Sequence, residues 1–425
     1  MNKILNPERK DWLKLTERPT AEVGDIYKLV DRIFAEIKKD GDNAVKKYSQ
    51  LYDKAEMVDF FVKEKTIADA SAKLSEELKE AIQLAKSNIE KFHASQIDQP
   101  KVIETTPGVS CWRESRAIEK VGIYIPGGTA PLFSTVLMLG IPAKLAGCKE
   151  IILCTPPDEN GEINPAILYT ADFVGITQVY AVGGIQAIGA MTFGTESIPK
   201  VDKLFGPGNQ YVMAAKQMAQ QFGVAIDMPA GPSEVLIIAD KSCNPSFVAA
   251  DLLSQAEHGP DSQVILLSDE ESVVDRVLKE LSKQVEILPR KEIAQLALLN
   301  SKAIVLSSLN ECLDFSNIYA PEHLILATEK ANELTPAIIN AGSVFLGNYS
   351  CESAGDYASG TNHTLPTNGY ARSYSGVSLD SFVKNITFQE LTKEGILNIG
   401  PAIELMAEAE QLFAHKNAVT LRLNN

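Results

Sequence analysis

The feature that most constrains this chain is a repeated alternation of short β-branched runs with helical stretches, separated by glycine and proline turns. The runs fall in two sets, at residues 151–154, 178–182 and 201–205, and then at residues 234–239, 263–267, 303–306 and 343–346. Strands that alternate with helices predict parallel βαβ units, because a parallel partner strand is reached only through a long crossover. Two sets of such units predict two α/β domains with a cleft between them.

Length and charge narrow the class of protein. At 425 residues, 45% of them hydrophobic, the chain is too long for one core and has enough apolar side chains to fill two or three. The formal net charge is −15, with 40 basic against 55 acidic residues. A phosphate-binding surface needs the opposite balance, so no nucleic acid partner is expected.

Neither the start of the chain nor its most apolar stretch has the properties of a signal peptide or a membrane span. Residues 1–10 contain no apolar core, and the stretch 133–145 is short and interrupted by Pro142. We therefore expect a cytoplasmic protein without a membrane span.

Regions outside the two α/β sets are helical or loop-like. Residues 26–37 repeat apolar side chains at helical spacing, and a second long helix is expected from about residue 68 to residue 92. The stretch 348–378 is dense in Gly, Ser, Thr and Asn, which predicts a long loop, and long loops in compact enzymes often carry function. A polar helical tail is expected over 389–423.

Cysteine usage gives no sign of a structural metal or redox site. The six cysteines are scattered, and no two have the C-x-x-C spacing that such sites use. Most of them are expected to be small buried hydrophobic side chains.

An amide and an imidazole stand three residues apart near the end of a predicted helix, at Gln255 and His258. That spacing places both side chains on one face, so they can converge on one cation at the last helical turn. The same pair could instead cap the free carbonyls of the helix end. This segment alone does not decide between the two interpretations.

The predicted loop offers a carboxylate and a second imidazole, Asp356 and His363. A glycine turn with an Asx hydrogen bond from Asp356 is the alternative interpretation. Near the C-terminus, Glu410 and His415 are five residues apart. On a continuous helix they would lie about 140° apart in azimuth, so they can share a site only at a helix break.

Two glycine-rich turns, 124–128 and 205–209, follow predicted strands at positions where open α/β sheets bind ligands. Neither has the G-x-G-x-x-G spacing, and the chain contains no Walker A motif. The residues taken alone therefore predict a two-domain α/β enzyme with a catalytic metal.

Several segments together resemble one family of enzymes, the histidinol dehydrogenases. They occur in order along nearly the whole chain, at residues 124–135 (YIPGGTAPLFST), 205–209, 231–235, 254–261, 320–324, 355–367 and 414–419. The resemblance implies two similar open α/β domains of the incomplete Rossmann-like kind, with parallel sheets, plus small helical N- and C-terminal segments. The implied division is an N-terminal segment (1–22), a first domain (23–120 with 236–375), a second, cofactor-side domain (121–235), and a C-terminal segment (376–425) reaching the partner subunit of a homodimer.

The resemblance also implies the members of an active site that two subunits share. Zinc, one ion per subunit, would be held by Gln255, His258, Asp356 and His415. The substrate, histidinol, would contact Ser233, His323, His363 and Glu410 together with the zinc-binding residues. NAD would be bound by Tyr124, Gln186 and Asn209.

The activity implied is oxidation of L-histidinol to L-histidine through the aldehyde, the last step of histidine biosynthesis, with two successive hydride transfers to NAD. Each oxidation also releases a proton, so a base that titrates near neutrality is required. His323 is the best candidate, because an unperturbed imidazole has a pKa of roughly 6.5. Glu322 would activate water for aldehyde hydration only if the backbone turns there, since adjacent side chains of an extended strand point to opposite faces.

Two alternatives remain open. In the first, Cys111 or Cys148 forms a thiohemiacetal during the second oxidation, although no His or helix N-terminus is recognisable beside either thiol to lower its pKa. In the second, the chain is a two-domain α/β protein that closes on a ligand without chemistry. Cofactor reduction, followed by absorbance, separates an enzyme from such a binding protein.

Overall fold

The computed structural model describes residues 1–19, 24–127, 131–229 and 231–425. Its strands are β1 (Asn2–Leu5), β2 (Ile103–Thr106), β3 (Val109–Ala117), β4 (Lys120–Tyr124), β5 (Glu150–Thr155), β6 (Gln178–Ala181), β7 (Lys203–Phe205), β8 (Ala225–Ile226), β9 (Glu234–Ala239), β10 (Gln263–Ser268), β11 (Lys302–Val305), β12 (His323–Ala327), β13 (Ser343–Leu346) and β14 (Val383–Leu391). Its α-helices are α1 (Trp12–Leu15), α2 (Gly24–Asp40), α3 (Asp42–Tyr52), α4 (Glu64–Asp69), α5 (Glu76–Ala94), α6 (Phe133–Ala146), α7 (Pro165–Phe173), α8 (Gly184–Phe193), α9 (Gln210–Ala219), α10 (Pro245–Ala256), α11 (Glu271–Gln284), α12 (Lys291–Leu299), α13 (Leu309–Tyr319), α14 (Ala331–Leu334), α15 (Glu352–Tyr357), α16 (Lys393–Ala409) and α17 (Phe413–Leu423).

The larger sheet has the strand order β1-β11-β10-β9-β12-β13, and its pairings are parallel. All residues of β9, β10 and β12 are buried, because helices cover both faces of the sheet. One core contains side chains of α10, α11 and α12, and the opposite core contains those of α13. Strands buried on both faces are continuous apolar runs, which is how they were predicted from the sequence.

The smaller parallel sheet has the strand order β6-β5-β4-β7-β8. Helices α2, α3, α8 and α9 pack on one face and α5, α6 and α7 on the other. From β4 the chain adds β5 and β6 on one side and then β7 and β8 on the other, so the strand order reverses between β4 and β7. Ligands of open α/β sheets bind beyond the carboxyl ends of the strands at such a reversal. The two parallel sheets confirm the predicted fold class.

A third sheet, which is antiparallel, was not predicted. β14 pairs with β3, and β3 with β2; Trp112 and Phe388 stack across the first pair with ring centroids 5.5 Å apart. Residues 389–391, expected in the helical tail, therefore belong to a strand, and the tail is a hairpin of α16 and α17. β2 and β3 are consecutive strands, whereas β14 lies far from β3 in the sequence, so no local pattern indicates the pairing of β14 with β3.

The two long N-terminal helices are present with one change of boundary. In α2 the apolar stripe is buried as predicted. Helix α5 begins at Glu76 and not near residue 68, because Ser75 caps it by accepting a hydrogen bond from the N–H of Leu78. In the described parts of the chain, no helix has the length and apolar character needed to cross a membrane.

Hydrophobic packing groups residues 24–94 with the smaller sheet. Helices α2, α3 and α5 share cores with the strands of that sheet, whereas the sequence placed 23–120 in the first domain with 236–375. β1, at the start of the chain, pairs with β11 in the larger sheet. We therefore propose that β1 belongs with the larger sheet and residues 24–94 with the smaller one; the other domain boundaries stay predictions.

Candidate active site

The amino ends of β9 and β12 lie side by side and carry the two residues predicted to be catalytic. His323 is the first residue of β12, and Glu322 stands in the bend before it. The main chain of Glu234 holds both side chains: its N–H donates to Glu322 Oε2 at 2.9 Å, and its carbonyl accepts from His323 Nδ1 at 3.0 Å. Glu322 Oε2 and His323 Nδ1 are 3.6 Å apart, so the backbone makes the turn that the sequence argument required. Ser233, a predicted substrate contact, precedes Glu234 and is half-buried.

The Glu234 carbonyl determines the tautomer of His323. A carbonyl oxygen only accepts hydrogen bonds, so Nδ1 carries a proton and Nε2 is the free position of the neutral ring. Nε2 has no hydrogen-bond partner among the described residues and lies 3.5 Å from Asp356 Oδ1. Burial by itself lowers the pKa of this imidazole, but the carboxylates of Glu322, Asp356 and Glu352 outweigh that effect and raise the pKa to about 10.

Two buried oxygen atoms beside His323 are also without a hydrogen-bond partner in the described residues: Oε1 of Gln255, at the end of α10, and Oδ1 of Asp356, on α15. Gln255 is 1% exposed, and its Nε2 lies 3.4 Å from His323 Nδ1. An unsatisfied buried polar atom costs about 1–3 kcal/mol. Such atoms therefore mark a place where a ligand is expected.

His258 lies two residues past the end of α10, and its main-chain N–H donates to the Gln255 carbonyl at 3.2 Å. Burial raises the pKa of Asp356, but the nearby imidazoles of His323, His363 and His258 outweigh it and lower the pKa below its ordinary value. An amide oxygen, an imidazole and an ionised carboxylate thus lie in one region. In the described residues, no group of three or more His, Cys, Asp or Glu side chains could hold a metal ion.

His363 connects the two parallel sheets at the site. Its Nδ1 donates to the main-chain carbonyl of Asp356 at 2.8 Å, and its Nε2 lies 2.9 Å from the hydroxyl of Thr135 on α6. Burial lowers the pKa of His363, which favours a neutral ring whose Nε2 accepts from the Thr135 hydroxyl. Both ring nitrogens are therefore engaged, and His363 can contact a substrate only by giving up one of these bonds.

Glu410 and His415 lie on either side of a helix break, as their spacing required. Helix α16 ends at Ala409, Gln411 has a φ of 59°, and α17 begins at Phe413. Glu410 and His415 are exposed. Among the described residues His415 does not join His258 and Asp356 in a metal-binding group.

A cavity of about 880 Å³ opens at the carboxyl end of β4, and Tyr124, Asn209 and Asp53 line it. The Tyr124 hydroxyl accepts from the Gly184 N–H at 3.1 Å. Asn209 caps α9 through Oδ1, which leaves its NH2 group as the donor available to a ligand. Gln186 is completely buried and donates to Asp53 Oδ2 at 3.0 Å, so it stands behind the cavity wall.

Sequence reasoning missed the pair that holds the second glycine turn. Gly206 has a φ of 128°, and a Cβ there would come within 2.1 Å of the Tyr124 carbonyl oxygen. Asp227 accepts from the Gly206 N–H at 2.8 Å, and Lys216 Nζ donates to the Gly206 carbonyl at 2.7 Å. Lys216 and Asp227 are themselves a buried ion pair at 2.5 Å. The turn that carries Asn209 is therefore held by a lysine of α9, the helix that Asn209 caps, and by the aspartate that follows β8.

A buried acid near the catalytic pair was also missed. Glu352 is the first residue of α15 and is 1% exposed. Its Oε1 accepts from the Ser254 hydroxyl at 2.8 Å, and its Oε2 has no partner among the described residues. Burial raises the pKa of Glu352 to about 8. The surrounding sequence predicted a loop, and nothing in it indicated that this carboxyl would be buried beside His323.

The cysteines are free thiols, and Cys148, Cys154, Cys243 and Cys312 are buried. Cys148 contacts the Phe382 carbonyl, and burial raises its pKa to about 11. Cys111 lies on β3 in the antiparallel sheet. Neither thiol considered for a thiohemiacetal therefore belongs to the group of residues around His323.

Two parallel α/β sheets, a buried group of acids and imidazoles at the amino ends of β9 and β12, and a cavity at the carboxyl end of β4 are typical of an α/β enzyme. The family model of histidinol dehydrogenase matches residues 16–423. The chain belongs to the histidinol dehydrogenase family, whose enzymes act in histidine biosynthesis.

Individual relatives are similar in sequence along almost the whole chain. The sequence is 56% identical to the histidinol dehydrogenase of Bacteroides thetaiotaomicron over 424 residues, covering 100% of this chain and 99% of that protein. The histidinol dehydrogenase of Vibrio parahaemolyticus is 52% identical, with 99% and 96% covered.

Among solved structures, histidinol dehydrogenase from Elizabethkingia anophelis superposes with a TM-score of 0.98 at 65% identity, covering 100% of this chain and 98% of that one. An acetylating aldehyde dehydrogenase from Geobacillus thermoglucosidasius has a TM-score of 0.50 at 12% identity, covering 89% and 95%. The second similarity concerns the fold alone and lends no support to a cysteine nucleophile.

Proposed function

We propose that the protein oxidises L-histidinol to L-histidine through the aldehyde, with NAD accepting two successive hydrides and one zinc ion bound in each active site. The observation that carries this proposal is the pair of buried oxygens, Gln255 Oε1 and Asp356 Oδ1, that lack partners among the described residues beside Nε2 of His323. Buried polar atoms are almost always hydrogen-bonded, so their exceptions call for a ligand.

The donor set suits zinc. Gln255, His258 and Asp356, with His415 as the proposed fourth ligand, supply oxygen and imidazole donors, which make a harder and more exchangeable site than thiolates do. A bound zinc ion would supply a fixed positive charge that orients the amine and imidazole of the substrate. The carboxylates around His323 raise its pKa, and a positive charge bound nearby would act in the opposite direction and lower it.

His323 is proposed to accept the proton that each oxidation releases. In the first oxidation the alcohol loses a hydride from carbon and a proton from oxygen, and in the second the hydrated aldehyde loses the same pair. Because Nδ1 stays bonded to the Glu234 carbonyl, Nε2 is the atom that takes the proton.

Glu322 is proposed to activate the water that hydrates the aldehyde. Burial raises the pKa of Glu322 to about 8, and a carboxylate so shifted is a stronger base than an exposed one. Its Oε2 is held by the Glu234 N–H at 2.9 Å, which keeps the carboxyl on the same side of the backbone turn as the imidazole of His323.

NAD is proposed to bind in the cavity that Tyr124 and Asn209 line, with Gln186 acting from behind the wall through Asp53. The described residues of that wall include the carboxyl groups of Asp53, Asp158 and Glu162, and no Lys or Arg. An additional ribose phosphate is usually accommodated by an arginine. The wall therefore favours NAD over NADP.

The protein is proposed to form a homodimer with shared active sites, in which His415 of one chain would be the fourth zinc ligand of the other. The C-terminal hairpin carries exposed large apolar side chains at Leu397, Leu405, Met406, Leu412, Phe413 and Leu421. A concentration of exposed apolar side chains on one element is typical of an interface. Because Glu410 and His415 are exposed on the same hairpin, a partner's site can receive them.

The enzyme is proposed to work in the cytoplasm. All six cysteines are free thiols, and thiols persist in reducing compartments.

Removing the metal should abolish turnover and leave the protein folded. The proposed ligands stand at a helix end, on a short helix and on the C-terminal hairpin, whereas the apolar cores are built by the two parallel sheets. NADH formation from histidinol would be followed before and after dialysis against a chelator, with circular dichroism as the measure of folding. Added zinc should restore activity. Full activity of metal-free protein would contradict the zinc assignment, and no NADH formation in any metal state would contradict the proposed function.

The variants Cys111→Ala and Cys148→Ala should retain most of the wild-type activity. With a pKa of about 11, the Cys148 thiol is almost entirely protonated at neutral pH, and the thiolate is the reactive form. The alcohol and aldehyde oxidations would be measured separately. Loss of aldehyde oxidation alone in either variant would favour the thiohemiacetal route.

A further inference from the structure

Arg18, in the segment that follows α1, is inserted behind the catalytic pair. Its side chain is 11% exposed and forms a two-pronged ion pair with Glu234, with Nε 2.5 Å from Oε1 and Nη2 2.9 Å from Oε2. Nη2 also donates to the main-chain carbonyl of Tyr319 at 2.8 Å, and the guanidinium lies 3.9 Å from the centre of the Tyr319 ring. One planar group thus contacts two separate backbone segments.

Each of those two segments is connected to the catalytic pair, one through hydrogen bonds and the other along the chain. Glu234 begins β9, and its own N–H and carbonyl hold the side chains of Glu322 and His323. Tyr319 ends α13, and the following residue, Ala320, has a φ of 55°, where the chain turns toward Glu322. Arg18 therefore joins the first residue of β9, whose main chain hydrogen-bonds the catalytic pair, to the turn that precedes Glu322.

We propose that Arg18 is a positioning residue for the oxidation: it sets the distance between the start of β9 and the turn before β12, and thereby the orientation of Glu322 and His323. This inference rests on the proposed function. A planar guanidinium can bond a carboxylate with two donors while it bonds a carbonyl and stacks on an aromatic ring, which a lysine ammonium cannot do. Because hydride and proton transfer need close alignment, a shift of about 1 Å at the catalytic pair can lower the rate roughly a hundredfold.

The test must separate positioning from simple loss of stability. Arg18→Met leaves the buried carboxylate of Glu234 without its partner, which destabilises the fold. The double variant Arg18→Met/Glu234→Gln removes that charge, while the new amide oxygen can still accept from the Asn368 N–H, which now donates to Glu234 at 2.8 Å. Arg18→Lys keeps a positive charge but not the planar group.

The readouts are the single-turnover rate of NADH formation, the KM for histidinol, the affinity for NADH measured by fluorescence, and the zinc content. We expect the double variant and Arg18→Lys to bind zinc and NADH like the wild type. Their single-turnover rates should fall roughly tenfold to a hundredfold per folded molecule, with little change in KM.

Arg9→Met is the matched control. Arg9 lies in the same N-terminal segment, pairs with Asp314 at 2.7 Å and lies 5.1 Å from the centre of the Trp12 ring, but it leads to neither catalytic residue. This variant should turn over like the wild type.

A wild-type rate per folded molecule in the double variant would overturn the inference. So would a loss of zinc or NADH binding that accounts for the lost rate, because Arg18 would then support the whole site and not the catalytic pair. Failure of the wild-type enzyme to oxidise histidinol would instead count against the proposed function.

Discussion

Replacing His323 with asparagine should lower the rate of histidinol oxidation by about two to four orders of magnitude, the usual effect of losing a general base. The new amide can still donate to the Glu234 carbonyl that His323 Nδ1 contacts, so the local hydrogen bond and most of the volume are kept. Acceptance of a proton is lost, because an amide is not a base near neutral pH. Rates would be measured with histidinol and with the aldehyde, since both oxidations release a proton.

His93→Asn provides the matched control for the loss of a buried imidazole. His93 is completely buried on α5 and its Nδ1 lies 3.1 Å from Gln96 Oε1, where it has no part in the proposed chemistry. At equal folded fraction this variant should keep a rate close to wild type. If His323→Asn retained more than about a tenth of the wild-type rate with its zinc content unchanged, another group would be the base.

Mixing two inactive variants should restore activity if two subunits share each site. In His258→Ala and in His415→Ala homodimers, every site lacks one proposed zinc ligand, so both should be inactive. In a heterodimer, the intact main body of the His415→Ala chain meets the intact hairpin of the His258→Ala chain, which gives one complete site and one site with two defects. Random association of equal amounts then predicts roughly a quarter of the wild-type activity after co-refolding.

A second mixture distinguishes sharing from a general effect of refolding. Gln255 and His258 both belong to the end of α10 and its following turn, so chains carrying Gln255→Ala and His258→Ala should not complement each other in either arrangement. Differently tagged chains would verify that heterodimers form. Heterodimers of His258→Ala with His415→Ala that stay inactive would show that each chain builds its own site, and the zinc assignment would still stand.

The sequence by itself determined the class of fold and a large part of the candidate site. Strands such as β9 and β10 are buried on both faces, and that condition requires an uninterrupted apolar run that can be recognised locally. The spacing of Gln255 and His258 at a helix end is likewise local, as is the requirement for a helix break between Glu410 and His415. These features could be predicted from local periodicity and short motifs, because each depends only on residues that are close together in the sequence.

Only the tertiary structure decided which residues meet. The Lys216–Asp227 pair at the Gly206 turn joins α9 to the residue that follows β8. The pairing of β14 with β3 and the contact of Arg18 with Glu234 each join elements far apart in the sequence. The same holds for the burial of Glu352 beside His323, which adds a carboxylate to its surroundings. Such pairings follow from how whole sheets and helices pack and from the charges that become buried together. Strand and helix periodicities, of two and 3.6 residues, say which side chains share a face but not which elements pack together. Residue spacing therefore gave candidates for the site, and the packing of the elements gave its geometry.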